Sequence, residues 1–561
     1  MEMKLSKEKT KMIEDKVDDF LFELLDPSIP RYKFIYHMNL VYIDLVVDQK
    51  LWFSTAERHF LYSLSYNIFL AYKKLSEEKV FNYIFDNELY LYCMNFLIKG
   101  MQYSMLCDEF PTTHSGNKSI YMHDISKTIS FIESRKMPRK NHEFINRYNS
   151  KKALSYTLQM AAGKLQDVDE EEAAHKLTRV YHDFWNENMS YDDFEPYSRL
   201  DWGGVTSFFV LASMRRFIKL YREDFNISKI GSHKMMIVIS PQGRKKIIEF
   251  TVTEDKEILD KVLDDYTYRP IGDGLSPKSH LSNAPVIQTR DGYLLINPLV
   301  MLFNDSSETR FLNFLRKYDR GRHQRIKDKL KERAIPIIEQ LIKLKFPDVV
   351  VKSNFKLPIP GRKNQKRELD ILVIDEKTGF VLYIEVKHFF NPMSVAEMKS
   401  LDKQLQEALE KTSDQINAIQ SNWGLVKERF AVRTEIEEIQ SIVLSHQYLG
   451  NNVEINNKVP IVNPQNLYES LAQSITVEEF YEANREIDDI YNSIKMISDG
   501  VIFEYAGYNF ALKMEVLDPA FEMLYTSAYR KNISRTIDFN QENSFTTIEE
   551  AVRELFNRIH K

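Results

Sequence analysis

Two carboxylates and one lysine lie within two neighbouring apolar runs of the sequence. Residues 368–387 read ELDILVIDEKTGFVLYIEVK, which predicts two β-strands joined by the turn EKTG. Because side chains alternate along a strand, Glu385 and Lys387 share one face of the second strand. Asp370 lies in the first strand, and the short turn makes the two strands antiparallel neighbours. The pattern therefore places Asp370 where it can meet Glu385.

The chemistry of these three side chains points towards a phosphate ester. An apolar sheet is covered on both faces, so charges within it are costly unless they are paired or hold a metal ion. Two carboxylates suit a hard divalent cation, which keeps water molecules that a substrate phosphate can replace. Lys387 can then orient or deprotonate an attacking water, or neutralise charge that develops at phosphorus. The alternative is a structural ion pair between Glu385 and Lys387.

The elements that must position these residues follow a definite order. In chain order they are a basic helix (322–345), a strand (348–355), the basic loop PIPGRKNQKR (358–367), the two strands above, a long helix (395–420), a strand (439–447) and the segment VPIVNP leading into a helix (465–474). Helices before, between and after the strands predict an α/β domain with a central mixed sheet.

Within this order, Asp370, then 14 residues, then Glu385-Val386-Lys387, resembles the PD-(D/E)xK phosphodiesterases. That superfamily includes type II restriction endonucleases and Holliday-junction resolvases, and the resemblance covers residues 320–475. It implies a restriction-endonuclease-like fold. It also implies that Asp370 and Glu385 bind Mg²⁺, for which Mn²⁺ can substitute, together with the backbone carbonyl of Val386. Lys387 is then the catalytic lysine.

The resemblance also suggests ligands outside the two strands. Leu369 stands where the family pattern has proline. Many members carry a glutamate on the first helix that reaches the metal, and Glu332 is the candidate here, with Glu339 second. Both lie off the apolar stripe of that helix, so solvated charges are the alternative interpretation. Some relatives have a glutamine on the helix after the second strand, and Gln415 matches it as a nucleic-acid-binding residue.

The charge distribution is uneven and points to a nucleic-acid partner. Residues 310–367 hold 18 lysines and arginines against five acidic residues, a balance of +13 in a chain whose net charge is −5. Such asymmetry is typical of one phosphate-facing part on an acidic body. A solvated helix face is the alternative. The residues predicted to contact phosphates in the basic loop are Arg362, Lys363, Lys366 and Arg367.

Composition excludes several other classes of protein. With 43% apolar and 28% charged residues, the 561-residue chain is not a disordered one. Cys93 and Cys107 are its two cysteines, too few for a disulfide framework or a four-cysteine zinc site, which favours a reducing, cytoplasmic compartment. The charged N-terminus lacks the apolar stretch of a signal peptide, and no run of 18 uncharged apolar residues predicts a membrane span.

The sequence divides into regions that differ in their pattern of apolar and turn residues, which predicts a multidomain protein. The predicted domains are an α-helical half (1–227), an α/β connector with hairpins at 235–252 and 286–296 (228–305), the restriction-endonuclease-like domain (306–480) and a small α/β C-terminal tail (481–561). The helical half is expected to act as a sensor, to bind nucleic acid, or to contact a protein partner or a second copy of the chain.

Taken together, the residues predict a Mg²⁺-dependent nuclease that hydrolyses phosphodiester bonds of DNA rather than RNA. A nuclease domain joined to a large helical region has the build of bacterial anti-phage defence effectors, which is a fold-level analogy. The chain has no GxxxxGK[ST], HExxH or GxSxG motif that would favour a different chemistry. The alternative is a non-catalytic nucleic-acid-binding or scaffold protein that retains a nuclease-like fold.

Overall fold

The computed structural model describes two compact units. The residues that it describes are 2–49, 57–114, 118–123, 126–133, 142–185, 197, 199–249, 255–273, 276–277, 280–303, 307–359, 365–389, 395–446, 448–450, 453, 458–493 and 496–517. The first unit takes its described residues from Met1–Lys136, Arg147–Arg320 and Met496–Ile537, and the second includes Gly321–Lys495.

Helices dominate the described residues before Arg320. The elements of this part are, in chain order, β1 (Glu2–Lys4), α1 (Lys7–Leu24), α2 (Arg31–Asp48), α3 (Glu57–Lys74), α4 (Asn87–His114), β2 (Lys118–His123), β3 (Thr128–Glu133), α5 (His142–Lys164), α6 (Glu170–Trp185), α7 (Arg199–Arg222), α8 (Ile227–Ile230), α9 (Ser232–Met235), β4 (Ile237–Ile239), α10 (Lys245–Ile248), α11 (Lys256–Tyr266), β5 (Gly272–Asp273), β6 (Ser276–Pro277), β7 (Val286–Gln288), β8 (Leu294–Ile296), α12 (Pro298–Phe303) and α13 (Ser307–Tyr318).

The described residues from Arg320 onwards form both helices and strands. The elements are α14 (Arg320–Lys345), β9 (Val350–Pro358), β10 (Lys366–Asp375), β11 (Phe380–Lys387), α15 (Val395–Ser421), α16 (Trp423–Phe430), β12 (Glu438–Ser445), β13 (Ile461–Val462), α17 (Pro464–Gln473), α18 (Val477–Ser493), β14 (Met496–Tyr505) and β15 (Tyr508–Leu517). From α14 to α17 every predicted element is present in the predicted order, and α16 and the short strand β13 are additional.

A five-stranded mixed sheet forms the centre of the second unit. Its strand order is β13-β12-β11-β10-β9. The three strands β9, β10 and β11 pair antiparallel through short connections, whereas β12 runs parallel to β11 and β13 runs parallel to β12. A parallel neighbour needs a crossover, and α15 with α16 supplies it between β11 and β12. The central mixed sheet predicted from the sequence is therefore present.

Helices cover both faces of this sheet, which explains why the buried residues of β10 and β11 are mostly apolar. Along β11, Phe380, Leu382 and Ile384 pack in a core with α14, α17 and α18. Val381 and Tyr383 point to the opposite face and pack against residues of α15 and α16. The alternation leaves no solvent-facing side for β11, so any charged residue on it is buried or lies at its end.

The first unit is built on a helical core. The helix α2 is buried around nearly its whole circumference, and it packs against α3 and α4. A helix that is apolar on all sides belongs inside a protein. Gly100 of α4 lets α3 approach closely, because a Cβ atom there would collide with Ser63 and Asn67.

A second five-stranded sheet, in the order β1-β2-β3-β15-β14, completes the first unit. The N-terminal half is therefore helix-rich, but it also contains the antiparallel pair of β2 and β3, which was not predicted from the sequence. Ile120, Ile129 and Phe131 are the buried residues of this strand pair. The predicted tail 481–561 is divided: α18 continues the second unit, β15 pairs with β3 of the first unit, and 518–561 lies outside the described residues.

The middle of the chain confirms one predicted hairpin and corrects the other. In the predicted hairpin 286–296, Val286 of β7 pairs with Ile296 of β8, and β4 pairs with the other edge of β8. The second strand predicted within 235–252 is wrong, because Lys245–Ile248 forms a helical turn that buries Ile247 and packs against α7. Residues 228–305, predicted as a connector, group with the first unit.

The turn between β10 and β11 depends on Gly379, whose φ of +74° lies in the left-handed region. A Cβ atom there would lie 2.9 Å from the backbone oxygen of Glu435, which leads into β12. We expect Gly379→Ala to lower the free energy of unfolding by about 1–3 kcal/mol, because both strain and a backbone clash oppose it. Chemical denaturation of the full-length protein, followed by circular dichroism, measures the change.

Gly424 provides the matched control, because a Cβ atom at this helical position would have open space around it. Gly424→Ala should leave the stability unchanged or raise it by about 0.5–1 kcal/mol, since alanine is the better helix former. Equal effects of the two substitutions would show that the turn geometry does not constrain the β10–β11 pair.

Candidate active site

Asp370 and Glu385 lie beside each other at one end of the β10–β11 pair. Ile371 pairs with Ile384 in the antiparallel register, so the next position along the two strands brings the carboxylates together. Both are buried, with 4% of Asp370 and 1% of Glu385 exposed. Buried carboxylates are stable only when their oxygens receive hydrogen bonds and their charge is compensated.

Asp370 is held by one backbone group and one lysine. The backbone N–H of Val386 donates to Asp370 Oδ2 over 2.8 Å. The ammonium group of Lys331, on α14, donates to the other oxygen, Oδ1, over 3.1 Å. Each oxygen of Asp370 thus has a donor, and one of the donors is a cation.

Glu385 is held by four side chains. Lys387 and Lys411 both donate to Oε1, over 2.6 Å and 3.3 Å respectively. The other oxygen, Oε2, accepts hydrogen bonds from the Tyr383 hydroxyl and, over 3.0 Å, from Gln415 Nε2. Lys411 and Gln415 are four residues apart, so they project from the same face of α15.

The environment shifts the pKa values of the two carboxyl groups in opposite directions. Burial and the neighbouring charge of Glu385 raise the pKa of Asp370, against the smaller opposing effects of Lys331 and the Val386 N–H. Burial also acts to raise the pKa of Glu385, but the ammonium groups of Lys387 and Lys411 outweigh it and lower that pKa. Two adjacent carboxyl groups with separated pKa values are typical of catalytic sites.

The sequence analysis assigned no role to three of the residues that hold the carboxylates. Tyr383 lies two residues before Glu385 on the same strand face, and burial raises its pKa well above the usual value, so it remains a donor. Lys331 and Lys411 come from helices on either side of the sheet. The periodic spacing of Lys411 and Gln415 was a usable signal, whereas nothing local distinguishes Lys331 from the other basic residues of α14.

The predicted first-helix ligands lie elsewhere. Glu332 is exposed, and the residue of α14 that reaches Asp370 is its neighbour Lys331. Successive helix positions are about 100° apart, so both cannot point at the same atom. Glu339 accepts hydrogen bonds from Lys343 and from Ser353. The structure therefore brings neither glutamate to the carboxylate pair, whereas it does bring Gln415.

The four residues of the basic loop that were predicted to bind phosphates differ in where the structure places them. Arg362 and Lys363 lie outside the described residues. Lys366 is exposed at the start of β10. Arg367 donates to Asp414 of α15 over 2.8 Å, which makes it part of an ion pair.

The donor set at this site fits Mg²⁺. Within the described part of the chain no three histidine, cysteine or carboxylate side chains are grouped to hold a metal ion. Mg²⁺, however, is commonly bound through one or two carboxylates, with water and substrate phosphates completing its ligands. Asp370 and Glu385 would hold it. Gln415 Oε1 is buried and accepts no hydrogen bond from the described residues, so it is an acceptor suited to a water molecule.

Comparison with known proteins finds no match for this chain among family models, curated proteins or solved structures. The interpretation of the site therefore rests on the contacts of its own residues. No helix within the described ranges is long and apolar enough to cross a membrane.

The raised pKa of Asp370 leads to a prediction about stability and pH. A carboxyl group whose pKa is raised on folding adds stability below its unfolded pKa, about 3.9, and that stability is lost as the pH rises through the folded pKa. Asp370→Asn cannot titrate and keeps an oxygen for the Val386 N–H. Without divalent cations, the melting temperature of the variant minus that of wild type should therefore increase as the pH rises above about 4.

Asp348→Asn serves as the control. Asp348 is fully exposed, and its hydrogen bond and charge interaction with Lys377 lower its pKa, so its contribution to stability has the opposite sign. Its melting-temperature difference should stay flat or fall over the same range. If the melting-temperature difference of Asp370→Asn also stayed flat with pH, the result would contradict a raised pKa of Asp370.

Proposed function

We propose that the second unit is a Mg²⁺-dependent nuclease of the PD-(D/E)xK type that hydrolyses phosphodiester bonds, with DNA as its substrate. The observation that carries the proposal is the burial of Asp370 and Glu385 side by side, with the Lys387 ammonium 2.6 Å from Glu385. The mixed sheet with helices on both faces supports it. So does the basic helix α14, whose Lys331 donates to Asp370.

The residues of the site divide into groups that bind and groups that orient. A bound Mg²⁺ ion would polarise the phosphate and activate a water molecule. Tyr383 and Gln415 orient Glu385 through Oε2, and the Val386 N–H orients Asp370 through Oδ2. Such contacts keep the carboxylates in one geometry, which is what a preorganised site requires.

Lys387 has the position of a group that acts on the reacting atoms. It is the last residue of β11, with 23% of its side chain exposed, so its ammonium group lies between the buried Glu385 and solvent. There it can hold the attacking water or neutralise negative charge that develops on the phosphoryl oxygens.

Nucleic acid would be attracted by the exposed cations near the site. Arg325 and Lys329 of α14 and Lys366 of β10 are exposed. Contacts to phosphates supply affinity without sequence information and release counterions.

One observation favours the alternative, a non-catalytic protein that retains the fold. All four carboxylate oxygens of Asp370 and Glu385 already receive hydrogen bonds from protein donors. A self-contained ion-pair network of this kind needs no metal ion, and removing one of its partners would leave a buried charge. The two functions therefore differ in what the loss of Lys387 does.

Lys387→Ala should abolish cleavage and leave the fold intact. Cleavage of labelled DNA with Mg²⁺ should fall by about 10²–10³-fold or more, as for the loss of a group that stabilises developing charge. The melting temperature should change little, because the proposed role of this ammonium group is in the reaction and not in holding the fold. Plasmid, linear and single-stranded substrates are tested in parallel, together with RNA.

The control is Lys403→Ala, on α15, whose side chain is 80% exposed. It should leave both activity and stability unchanged. An unfolded Lys387→Ala protein, destabilised by about 3–5 kcal/mol, would identify a structural ion pair. A fully active one would remove Lys387 from the chemistry.

Salt dependence tests the nucleic-acid surface. Replacing Arg325, Lys329 and Lys366 with alanine should make the logarithmic dependence of DNA affinity on salt shallower by about one per lost phosphate contact. The same triple replacement of Lys4, Lys7 and Lys9, exposed lysines of the first unit, should leave the slope unchanged. Binding measured by fluorescence anisotropy with Ca²⁺ in place of Mg²⁺ avoids cleavage. Equal slopes for all three proteins would show that this surface does not bind phosphates.

A further inference from the structure

The two carboxylates of the site share an asymmetry. Each has one oxygen on buried donors and the other oxygen on lysine ammonium groups. The buried donors are the Val386 backbone for Asp370 Oδ2, and Tyr383 with Gln415 for Glu385 Oε2. The lysine-bound oxygens are Asp370 Oδ1 and Glu385 Oε1.

Lys331 and Lys411 are the partly exposed partners in this arrangement. Their side chains are 38% and 41% exposed, whereas the carboxylates they contact are almost wholly buried. They belong to α14 and α15, which cover opposite faces of the sheet. A long lysine stem that reaches a buried oxygen from the surface can withdraw into water without disturbing the core.

The lysine ammonium groups already compensate the negative charge of the two carboxylates without a metal ion. Asp370 and Glu385 contribute two negative charges, and Lys331, Lys387 and Lys411 contribute three positive ones. A divalent cation placed on the same oxygens would meet this excess of positive charge at short range in a poorly solvated site. Binding of the cation therefore requires that ammonium groups leave those oxygens.

We propose that Lys331 and Lys411 are displaceable counterions that occupy the metal-facing oxygens Asp370 Oδ1 and Glu385 Oε1 until a divalent cation replaces them. The inference rests on the proposed function and adds two positioning residues to it. Once displaced, the two ammonium groups are free to contact the phosphates of a nucleic acid. Lys387 also donates to Oε1, over 2.6 Å, and gives up that hydrogen bond when the cation binds. It lies two residues after Glu385 on the same strand and stays at the site as the group that acts at the reacting atoms.

This arrangement links the metal ion to the nucleic acid. A cation that releases the lysines makes them available to phosphates, and phosphates that hold the lysines leave the carboxylates free for the cation. Each ligand therefore raises the affinity for the other, and by thermodynamic linkage the two factors are equal. The protein would hold Mg²⁺ weakly on its own and tightly with its substrate.

The test is a calorimetric titration of the full-length protein with Ca²⁺, which binds oxygen ligands. The variants are Lys331→Gln, Lys411→Gln and the double variant, because glutamine keeps a hydrogen-bond donor and removes the charge. The double variant should bind Ca²⁺ at least about fivefold more tightly than wild type, the lower end of typical couplings. Ca²⁺ should also raise its melting temperature more than it raises that of wild type.

Two controls test whether the gain in Ca²⁺ affinity comes from the loss of a positive charge at the carboxylates. Lys411→Arg retains a competing cation and should bind Ca²⁺ as wild type does. Lys403→Gln removes a lysine from the same helix at a position that pairs with Glu407 instead, and it too should match wild type. A gain in affinity for Lys403→Gln equal to that of Lys411→Gln would mean that overall charge, not displacement at the carboxylates, is responsible.

The outcomes distinguish this inference from the proposed function. If wild type binds Ca²⁺ and the glutamine variants bind it equally well or more weakly, the displacement of the lysines is overturned. The nuclease proposal is then unaffected. Failure of both wild type and the double variant to bind Ca²⁺ overturns the displacement and the nuclease proposal together.

The linkage is tested by repeating the titration with a DNA duplex or an RNA duplex present. Wild type should then bind Ca²⁺ more tightly, and the double variant should lose that gain. No gain in wild type contradicts the linkage.

Discussion

Removing two carboxylates from water is the constraint on which the second unit depends. Asp370 and Glu385 carry like charges in a buried position, a state that is costly unless cations and hydrogen-bond donors surround them. The surrounding elements meet this need from three directions, with Lys331 from α14, Lys411 from α15 and Lys387 from β11. Apolar residues at these positions would make the sheet at least as stable, which supports the proposal that the charges serve a chemical function.

The geometry of the pair follows from the strand register. A slip of one residue between β10 and β11 would move Glu385 to the opposite face, away from α15. The left-handed turn at Gly379 and the two cores, one on each side of β11, oppose such a slip. The packing of the sheet thus determines which residues meet at its end, and local sequence determines which charges they carry.

The sequence predicted well what depends on local alternation. The bounds of β11, the sheet around it and the approach of Asp370 to Glu385 follow from side-chain periodicity and a short turn. The sequence did not predict that Lys331, and not Glu332, contacts the carboxylate pair. Neighbouring helix positions differ by about 100°, and tertiary packing decides which of them faces the sheet. The pairing of β15 with β3 joins segments nearly 400 residues apart, and no local pattern encodes it.

The central claim is that this carboxylate pair is a metal site for phosphodiester hydrolysis. The most direct measurement is anomalous diffraction from crystals of the full-length protein soaked with Mn²⁺, a cation that prefers the same oxygen ligands as Mg²⁺. The account predicts an anomalous peak within bonding distance of Asp370 Oδ1 and Glu385 Oε1, with Lys331 and Lys411 moved away from those oxygens. A peak elsewhere, or saturating Mn²⁺ with both lysines still on the carboxylates, would contradict it.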